Sequence, residues 1–526
     1  MTETLRHPSI GPIVGKAADG IVQFLGVKYA SLTDRLAEPR LLSNYNGQGL
    51  DATEIGPQAV SPSNGCDIEF GLIQQRLPRS TFKVSGLHCL HVNITMPSGS
   101  KNLPVLVFIH GGGFAVGSNA WPQYNFTRLV KLSVELGEPI VAVAVKCYRL
   151  GIPGFLTSTE LTAAGYKANN GLRDQRVALE WVKHYIRGFG GAEDKITLMG
   201  QSAGAVASIL HLQSRESLFQ QLVVMSGTPL GLPPLSLPIA DAAYSLSLKA
   251  LNLHGLSMED RVKEIVQGQV SNLCGIIPDI PLLPVIDNDV ISQRPTYEGI
   301  AQASEAEFPG MRWCRRILIG DCQFDGSIFS AAMEKHKPGI ANAFHLSLLQ
   351  SLSFSLATVE HLQEAYDIIP GMPDDTAIRN ILKFASDIRF YAPTRAIADS
   401  WPGTAYLYHF NEPNPWEGYW KGEASHNIDV VHLLRNFEEY FPPAQRRCAQ
   451  KFTEHVLAFV NGKEPFPDRQ LIKNGAMVYG SPAETATFVE SRSAADFGRR
   501  QVVFDLAEEV GLEALNRSFS EFLSRA

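Results

Sequence analysis

Ser202 is the residue whose surroundings most strongly suggest chemistry, because it lies at the centre of Gly200-Gln-Ser-Ala-Gly204. The residues before this corner, Lys195–Met199, are largely apolar or β-branched, and the residues after it favour a helix. A serine between a strand and a helix adopts a strained backbone, and the flanking glycines leave room that a Cβ would deny. The pattern predicts a serine nucleophile. A glycine–serine turn without chemical function is the alternative, since five residues alone carry little specificity.

A second stretch, Leu103–Phe114, is an apolar run that empties into three consecutive glycines. Such a loop can turn backbone N–H groups toward a developing oxyanion. In α/β hydrolases the donors come from this loop and from the residue after the nucleophile, which predicts Gly112, Gly113 and Ala203 here. A plain glycine-rich turn is the alternative, but this loop followed by a strand and a serine corner is a rarer coincidence.

The elements that must position these residues alternate between strands and helices, which is typical of a mostly parallel sheet covered on both faces. Short antiparallel strands are expected before them, and a long surface loop over residues 31–79, which are rich in Pro, Gly, Asn and Ser. No linker divides the chain, so one domain over residues 1–526 is expected. The predicted core strands are His88–Thr95, Val105–Ile109, Ile140–Val145, Gln221–Gly227, Ile317–Ile319 and Ala405–Phe410, and the predicted helices include Trp121–Leu136 and Asn169–Val182.

Several further segments make a family resemblance clear. They are Phe24–Ala30, His110–Phe114, Tyr148–Gly151, Asn170–Gln175, Gly200–Gly204, Ser226–Gly227 and Pro284–Asp287. On these residues the chain resembles the type B carboxylesterases, the cholinesterase and lipase branch of the α/β hydrolases. The resemblance implies an α/β-hydrolase fold, with a central, mostly parallel twisted sheet, helices on both faces and an N-terminal antiparallel strand region. It also implies hydrolysis of carboxylic esters without a metal or an organic cofactor.

A serine hydroxyl becomes nucleophilic when a base takes its proton and an acid orients that base. In α/β hydrolases both follow the serine, in the order acid and then histidine. The loop after the predicted strand Ile317–Ile319 holds Asp321 and Asp325. The family's acid directly precedes a glycine, which selects Asp325. The family usually has glutamate here, so the shorter aspartate requires a closer imidazole or a shifted loop, and a solvated turn residue is the alternative.

The base is predicted to be His426, which lies in an irregular loop after a predicted strand. The family's Gly-x-x-His pattern matches Gly422 to His426 with one extra residue, and the acidic residue three positions further on is Asp429. His432 falls within an apolar helical pattern, so packing is its expected role. Ser226 matches a family position near the acid and is equally well explained as a hydroxyl at the end of a strand.

Composition and charge argue against some classes of binding partner. The chain has 526 residues, a net charge of −7, and no run of like charges that would attract nucleic acid or an anionic membrane. Residues 1–8 contain no apolar segment of the kind found in secretory signals, and the longest apolar runs are too short to span a bilayer. The sequence therefore predicts a cytoplasmic enzyme that acts on a small-molecule ester, without nucleic acid or membrane anchor. The chain is a possible homodimer, and the sequence does not decide its oligomeric state.

The chain departs from its secreted relatives in ways that affect the cysteines and the substrate pocket. The seven cysteines include no metal-binding spacing, and reduced thiols are expected. A bridge between Cys66 and Cys89, near the family's disulfide positions, is the alternative. The proline-rich loop Thr228–Leu235 replaces the tryptophan-rich choline pocket and is expected to line the acyl side, which favours an apolar or aromatic group. Residues 344–362 predict either a helical lid or a partly buried helix.

Three functions compete. The first is ester hydrolysis through an acyl-enzyme. The second uses the same triad as an acyltransferase, lactonase or thioesterase, which sequence cannot distinguish because the pocket selects the acceptor. The third is a non-catalytic cholinesterase-like binding protein, which is disfavoured because every catalytic part is present.

Overall fold

The computed structural model of the chain describes residues 1–45, 47, 49–145, 147–274, 280–302, 307–335, 337–480, 485–490 and 498–525. Within these ranges the main sheet has 13 strands, in the order β1-β2-β3-β7-β9-β8-β10-β11-β12-β13-β14-β15, with β6 paired to β2, while β4 and β5 form a separate ribbon. The strands are β1 (Thr2–His7), β2 (Gly11–Ala18), β3 (Ile21–Lys28), β4 (Ala30–Ser31), β5 (Arg40–Leu41), β6 (Leu50–Asp51), β7 (His91–Pro97), β8 (Leu103–Ile109), β9 (Val141–Val145), β10 (Gly191–Gln201), β11 (Gln221–Met225), β12 (Arg316–Cys322), β13 (Thr404–Phe410), β14 (Ala476–Tyr479) and β15 (Ala486–Val489).

The centre of the sheet is parallel and its N-terminal side is antiparallel, as the sequence predicts. Every neighbouring pair from β9 to β14 is parallel. The pairs β1–β2, β2–β3, β3–β7 and β7–β9 are antiparallel. Because parallel strands end at the same edge, the loops after β8, β10, β12 and β13 meet there. These four loops carry the residues predicted to be functional.

Both faces of the sheet are buried, and β8 shows why. Val105, Val107 and Ile109 belong to one hydrophobic cluster, whereas Leu106 and Phe108 belong to another. All five side chains are buried. Successive side chains of a strand point to opposite faces, so a continuous apolar run is the pattern of a strand covered on both sides.

The helices cover the two faces and extend beyond the sheet. In chain order they are α1 (Gly65–Ile73), α2 (Thr127–Glu135), α3 (Gly151–Phe155), α4 (Thr159–Ala163), α5 (Asn170–Tyr185), α6 (Ala203–Leu210), α7 (Leu237–Ala250), α8 (Met258–Gln267), α9 (Tyr297–Ala301), α10 (Ser330–Lys335), α11 (Ile340–Ser351), α12 (Leu356–Ala365), α13 (Asp374–Ser386), α14 (Ala392–Ser400), α15 (Ile428–Leu434), α16 (Pro443–Val460), α17 (Val502–Val510) and α18 (Leu512–Arg525). Short 3₁₀ turns occupy Pro122–Tyr124, Ile186–Phe189, His211–Gln213, Val270–Leu273, Pro309–Arg312, Asp325–Phe329 and Glu438–Tyr440, and a π-helical turn, Asp387–Tyr391, joins α13 to α14.

The expectation of an extended loop over residues 31–79 is wrong for the part that forms helix α1. Cys66, Phe70 and Ile73 lie on its buried side and pack into the cluster under one face of the sheet. The helix also carries two glycines and two acidic residues, so its apolar side is not evident from the sequence. Tertiary packing therefore decides its conformation, since a nine-residue helix is marginal by itself.

The region predicted as a lid or a buried helix forms α11 and α12. Phe344, Leu348 and Leu362 are fully buried in a cluster with the C-terminal helices α17 and α18. The structure therefore favours the packing interpretation over the lid. Within the described residues, none of the helices combines the length and the apolar character that crossing a bilayer would require.

Candidate active site

The corner between β10 and α6 holds Ser202 in a conformation that few side chains adopt. Its φ is 55° and its ψ is −124°, and its backbone N–H donates to the Met225 carbonyl at 2.9 Å. A Cβ on Gly200 would lie 2.2 Å from the Gly204 carbonyl oxygen, and a Cβ on Gly204 would lie 2.2 Å from the Ile109 carbonyl oxygen. Both positions therefore require glycine, which explains the Gly-x-Ser-x-Gly spacing.

The structure brings Ser202, His426 and Asp325 together, although 224 residues separate the serine from the histidine. His426 Nε2 lies 2.9 Å from Ser202 Oγ, and His426 Nδ1 lies 2.7 Å from Asp325 Oδ1. A carboxylate can only accept, so Nδ1 donates to Asp325, which leaves Nε2 as the acceptor for the serine proton. The arrangement can generate an alkoxide-like nucleophile at Ser202.

His426 is held in place by contacts between the loops that carry the base and the acid. Its backbone N–H donates to Ser327 Oγ at 3.0 Å. Nearby, the Phe324 N–H donates to the Ala424 carbonyl at 2.9 Å, which pairs the two loops. The Phe390 ring lies 5.5 Å from the imidazole, centroid to centroid. These contacts limit the positions that the imidazole can occupy.

Asp325 is fully buried at the start of a 3₁₀ turn. Its Oδ2 accepts from the Cys322 backbone N–H at 2.8 Å, while Oδ1 faces His426. Burial raises the pKa of this carboxyl, and the hydrogen bond and charge of His426 oppose that effect. The turn brings the aspartate close enough to contact the imidazole without the extra methylene of glutamate.

The alternative acid and base belong to other networks. Asp321 accepts from His409 Nδ1 at 2.7 Å and from Arg499 Nε at 2.9 Å, and all three side chains are buried. His432 lies in α15, where its Nδ1 donates to the Ile428 carbonyl at 2.8 Å. Burial lowers the pKa of His432 to about 4, so it packs as a neutral ring, as its sequence pattern predicts.

The glycine loop after β8 turns beside the serine. Gly112 and Gly113 have φ values of 98° and 61°. A Cβ on Gly112 would lie 2.1 Å from the Val116 carbonyl oxygen. Among the described residues, no oxygen accepts from the N–H groups of Gly112, Gly113 or Ala203. Three unpaired donors beside Ser202 are the groups an oxyanion would need.

A cavity of about 420 Å³ opens onto Ser202 and His426. Its walls are mainly apolar and include Leu232 of the proline-rich loop, Phe329 and Phe390. The cavity is therefore suited to an acyl chain or an aromatic ring. Its lining residues are Ile68, Glu69, Leu72, Gly112, Gly113, Val116, Ser202, Ala203, Val206, Ser226, Gly227, Thr228, Gly231, Leu232, Leu283, Ile328, Phe329, Arg389, Phe390, His426, Asn427 and Leu523.

Two ionisable residues of this cavity, Glu69 and Arg389, are not predicted from the sequence. Glu69 lies on α1 and accepts from Gln123 Nε2 at 3.2 Å, and burial raises its pKa to about 7. Arg389 lies on the π-helical turn before α14. Neither residue belongs to a motif, so only the path of the folded chain could reveal them.

The remaining sequence expectations concern the cysteines and Ser226. All seven cysteines, including Cys66 and Cys89, carry free thiols. Ser226 Oγ donates to Cys322 Sγ at 3.7 Å and makes no hydrogen bond to the acid. Asp429 accepts from the Tyr408 hydroxyl at 3.0 Å, and burial raises its pKa to about 6.

A family of known proteins matches most of this chain. Residues 3–477 match the Carboxylesterase family. Lipase 3 of Yarrowia lipolytica is 27% identical over 497 residues, which are 90% of this chain and 92% of the lipase. The para-nitrobenzyl esterase of Bacillus subtilis is 30% identical over 341 residues, which are 62% of this chain and 64% of that enzyme.

A solved structure confirms the predicted α/β-hydrolase fold. The Geobacillus stearothermophilus carboxylesterase EST55 superposes with a TM-score of 0.72 at 22% identity, and the match covers 94% of this chain and 100% of that chain. The match over residues 3–477 shows that the chain belongs to the carboxylesterase family, a family of carboxylic ester hydrolases.

Proposed function

We propose that the chain cleaves carboxylic esters through an acyl-enzyme, with Ser202 as nucleophile, His426 as base and Asp325 as the orienting acid. The observation that carries this proposal is the continuous hydrogen-bonded path from Ser202 Oγ through the imidazole to the buried carboxylate, with distances of 2.9 and 2.7 Å. Nucleophile, base and orienting group within hydrogen-bond reach are the signature of an activated serine.

In the proposed reaction, Ser202 Oγ attacks the ester carbonyl carbon while its proton passes to His426 Nε2. The N–H groups of Gly112, Gly113 and Ala203 hold the oxyanion. When the tetrahedral intermediate collapses, the carbon–oxygen bond to the leaving group breaks and His426 returns the proton to the alcohol. A water molecule then attacks the acyl-enzyme by the same route and releases the acid.

The apolar walls of the cavity support small-molecule esters with an aliphatic or aromatic acyl group. Leu232 and Phe329 supply apolar surface. Gly231 also lines the cavity, so the proline-rich loop Thr228–Leu235 forms part of its wall. The same triad would also serve an acyltransferase, a lactonase or a thioesterase, because the first half of each reaction is identical. Product analysis with and without an added alcohol, amine or thiol acceptor separates these reactions from hydrolysis.

The experiment is a series of para-nitrophenyl esters of increasing acyl length, assayed with wild type and Ser202→Ala. Removal of a triad serine lowers kcat by up to ~10⁶. We expect nitrophenol release by wild type and loss of that activity in Ser202→Ala, with both proteins showing the same thermal unfolding. Turnover near the wild-type level in Ser202→Ala refutes the proposal.

The single domain over residues 1–526, the cytoplasmic location and the homodimer stay predictions. Cell fractionation tests the location, and light scattering of the purified chain tests the oligomeric state.

A further inference from the structure

Arg389 is a buried cation on the wall of the catalytic cavity. It lies on the π-helical turn Asp387–Tyr391, beside Phe390, whose ring packs against the imidazole of His426. Arg389 lines the same cavity as Ser202 and His426, although the residue is only 7% exposed. Single π-helical turns within longer helices are frequent at functional sites, because the extra residue redirects the neighbouring side chains.

Among the residues that the structure describes, the partners of this guanidinium are all uncharged. Its Nη1 donates to the Gly231 carbonyl, its Nη2 donates to Ser520 Oγ at 2.6 Å, and it lies 5.2 Å from the centre of the Phe519 ring. Nε is buried without a hydrogen-bond partner. A guanidinium has five N–H donors, so the described protein groups use fewer than half of them.

No carboxylate within the described ranges lies at ion-pair distance from Arg389. Its ionisable neighbours are Tyr297, whose pKa burial raises so that it is a neutral phenol at neutral pH, and Arg294, whose charge has the same sign. Burial lowers the pKa of Arg389 to about 10, so the side chain remains a cation at neutral pH. A buried charge without a counter-charge is costly, and proteins normally pair it.

Arg149 shows how this chain treats a buried arginine that serves the fold. It is 1% exposed, and its Nε and Nη2 donate to the two carboxylate oxygens of Asp174 at 2.9 and 2.8 Å. Arg389 is nearly as buried and lacks such a carboxylate. The difference is that Arg389 borders a cavity that a ligand can enter.

The acidic residue of the cavity wall, Glu69, does not pair with Arg389. Glu69 lies on α1, its carboxyl accepts from Gln123, and its charge is not among those that act on the arginine. The remaining wall is mainly apolar. An anion that enters the cavity therefore meets one fixed cation, and burial weakens the screening of their attraction by water.

We propose that Arg389 binds an anionic group of the substrate, of the carboxylate class, so that the preferred ester carries an acid in the part that lies against Gly231 and Phe390. This inference rests on the proposed ester hydrolysis. The planar guanidinium matches the geometry of a carboxylate and can donate two hydrogen bonds to it. The acid can belong to the acyl group or to the leaving group, and the two arms of the experiment distinguish them.

The experiment compares matched anionic and neutral esters on the wild-type enzyme. In the first arm, the para-nitrophenyl monoester of adipic acid is compared with the para-nitrophenyl methyl diester, in which the free carboxylate is replaced by a neutral methyl ester. In the second arm, the butanoyl ester of meta-hydroxybenzoate is compared with that of methyl meta-hydroxybenzoate. A hydrogen bond to a charged group changes affinity by about 10- to 100-fold. We expect a preference of about that size for the anionic member of one pair, expressed mainly in KM.

Arg389→Gln and Arg389→Lys then test whether this arginine causes the preference, with Arg294→Gln as a charge-matched control at an exposed neighbour. We expect Arg389→Gln to abolish the anionic-to-neutral ratio, Arg389→Lys to keep part of it, and Arg294→Gln to preserve it. A wild-type preference for the neutral member of both pairs overturns the inference, and so does an unchanged ratio in Arg389→Gln. Ester hydrolysis that depends on Ser202 would still stand in either case. If wild type hydrolyses none of the four esters, and none of the para-nitrophenyl series, the proposed function itself fails.

Discussion

The substitution Asp325→Asn is expected to disable the base while leaving the fold nearly intact. Asp325 uses both carboxylate oxygens, because Oδ1 accepts from His426 Nδ1 at 2.7 Å and Oδ2 accepts from the Cys322 backbone N–H at 2.8 Å. Asparagine has only one oxygen. That oxygen satisfies the fixed Cys322 donor, so the amide NH₂ faces the imidazole and requires Nδ1 to accept.

The consequence is the wrong histidine tautomer. With Nδ1 as acceptor, the ring proton moves to Nε2, which then cannot take the proton of Ser202. In serine proteases the equivalent change lowers kcat by about 10⁴ with the geometry intact. We expect a loss of similar size here, because in both cases the buried acid accepts from Nδ1 of the catalytic histidine.

The assay is steady-state hydrolysis of a para-nitrophenyl ester, with thermal unfolding measured in parallel. Asp321→Asn is the matched control, since Asp321 is also a buried aspartate but pairs with His409 and Arg499. This control is expected to lower the unfolding temperature and to keep kcat per folded molecule. If Asp325→Asn retains a tenth or more of wild-type kcat, the assignment of the acid is wrong.

Two further predictions concern buried charge. Glu69 has a pKa raised from its ordinary 4.5 to about 7 by burial, so between these pH values the folded chain holds a proton that the unfolded chain has released. The contribution of protonated Glu69 to the free energy of unfolding is therefore fully present below pH 4.5. The free energy of unfolding then falls by up to ~3 kcal/mol as the pH rises from 4.5 to 7. Glu69→Gln should remove this loss, and urea unfolding at pH 5 and pH 8 measures it; an unchanged pH dependence contradicts the reasoning. Asp174→Asn breaks the buried pair with Arg149 and should cost about 3–5 kcal/mol, because it leaves an unpaired buried guanidinium. A loss below about 1 kcal/mol, measured by the same unfolding assay, would show that the Arg149–Asp174 pair contributes little.

The parts of the site that depend on local sequence were predictable. The Gly200–Gly204 corner needs glycines on both sides of the serine, and the glycine loop follows an apolar strand, so both turns were predictable from local pattern. The choice of Gly112, Gly113 and Ala203 as donors also used the scheme of the α/β hydrolases. Asp325 and His426 also required the family's order of residues, because nothing in the sequence reveals that a distant loop reaches the serine. Their roles stay predictions until the variants are measured.

The parts that depend on tertiary packing were not predictable. Helix α1 forms because Cys66, Phe70 and Ile73 meet the core, and this packing carries Glu69 to the cavity. Arg389 reaches the cavity through a π-helical turn, which has no sequence signature of its own. The apolar residues of α11 and α12 fit a lid as well as a core, and only their neighbours decide between the two.

The central claim is that Ser202 is the activated nucleophile, and covalent labelling tests it most directly. Wild-type protein is treated with a dialkyl fluorophosphate, residual esterase activity is followed, and the modified peptide is located by mass spectrometry. We expect one phosphoryl adduct, on Ser202, that forms in step with loss of activity, and no such adduct in His426→Ala. Inactivation through an adduct on another residue would contradict the account, as would full activity with Ser202 modified.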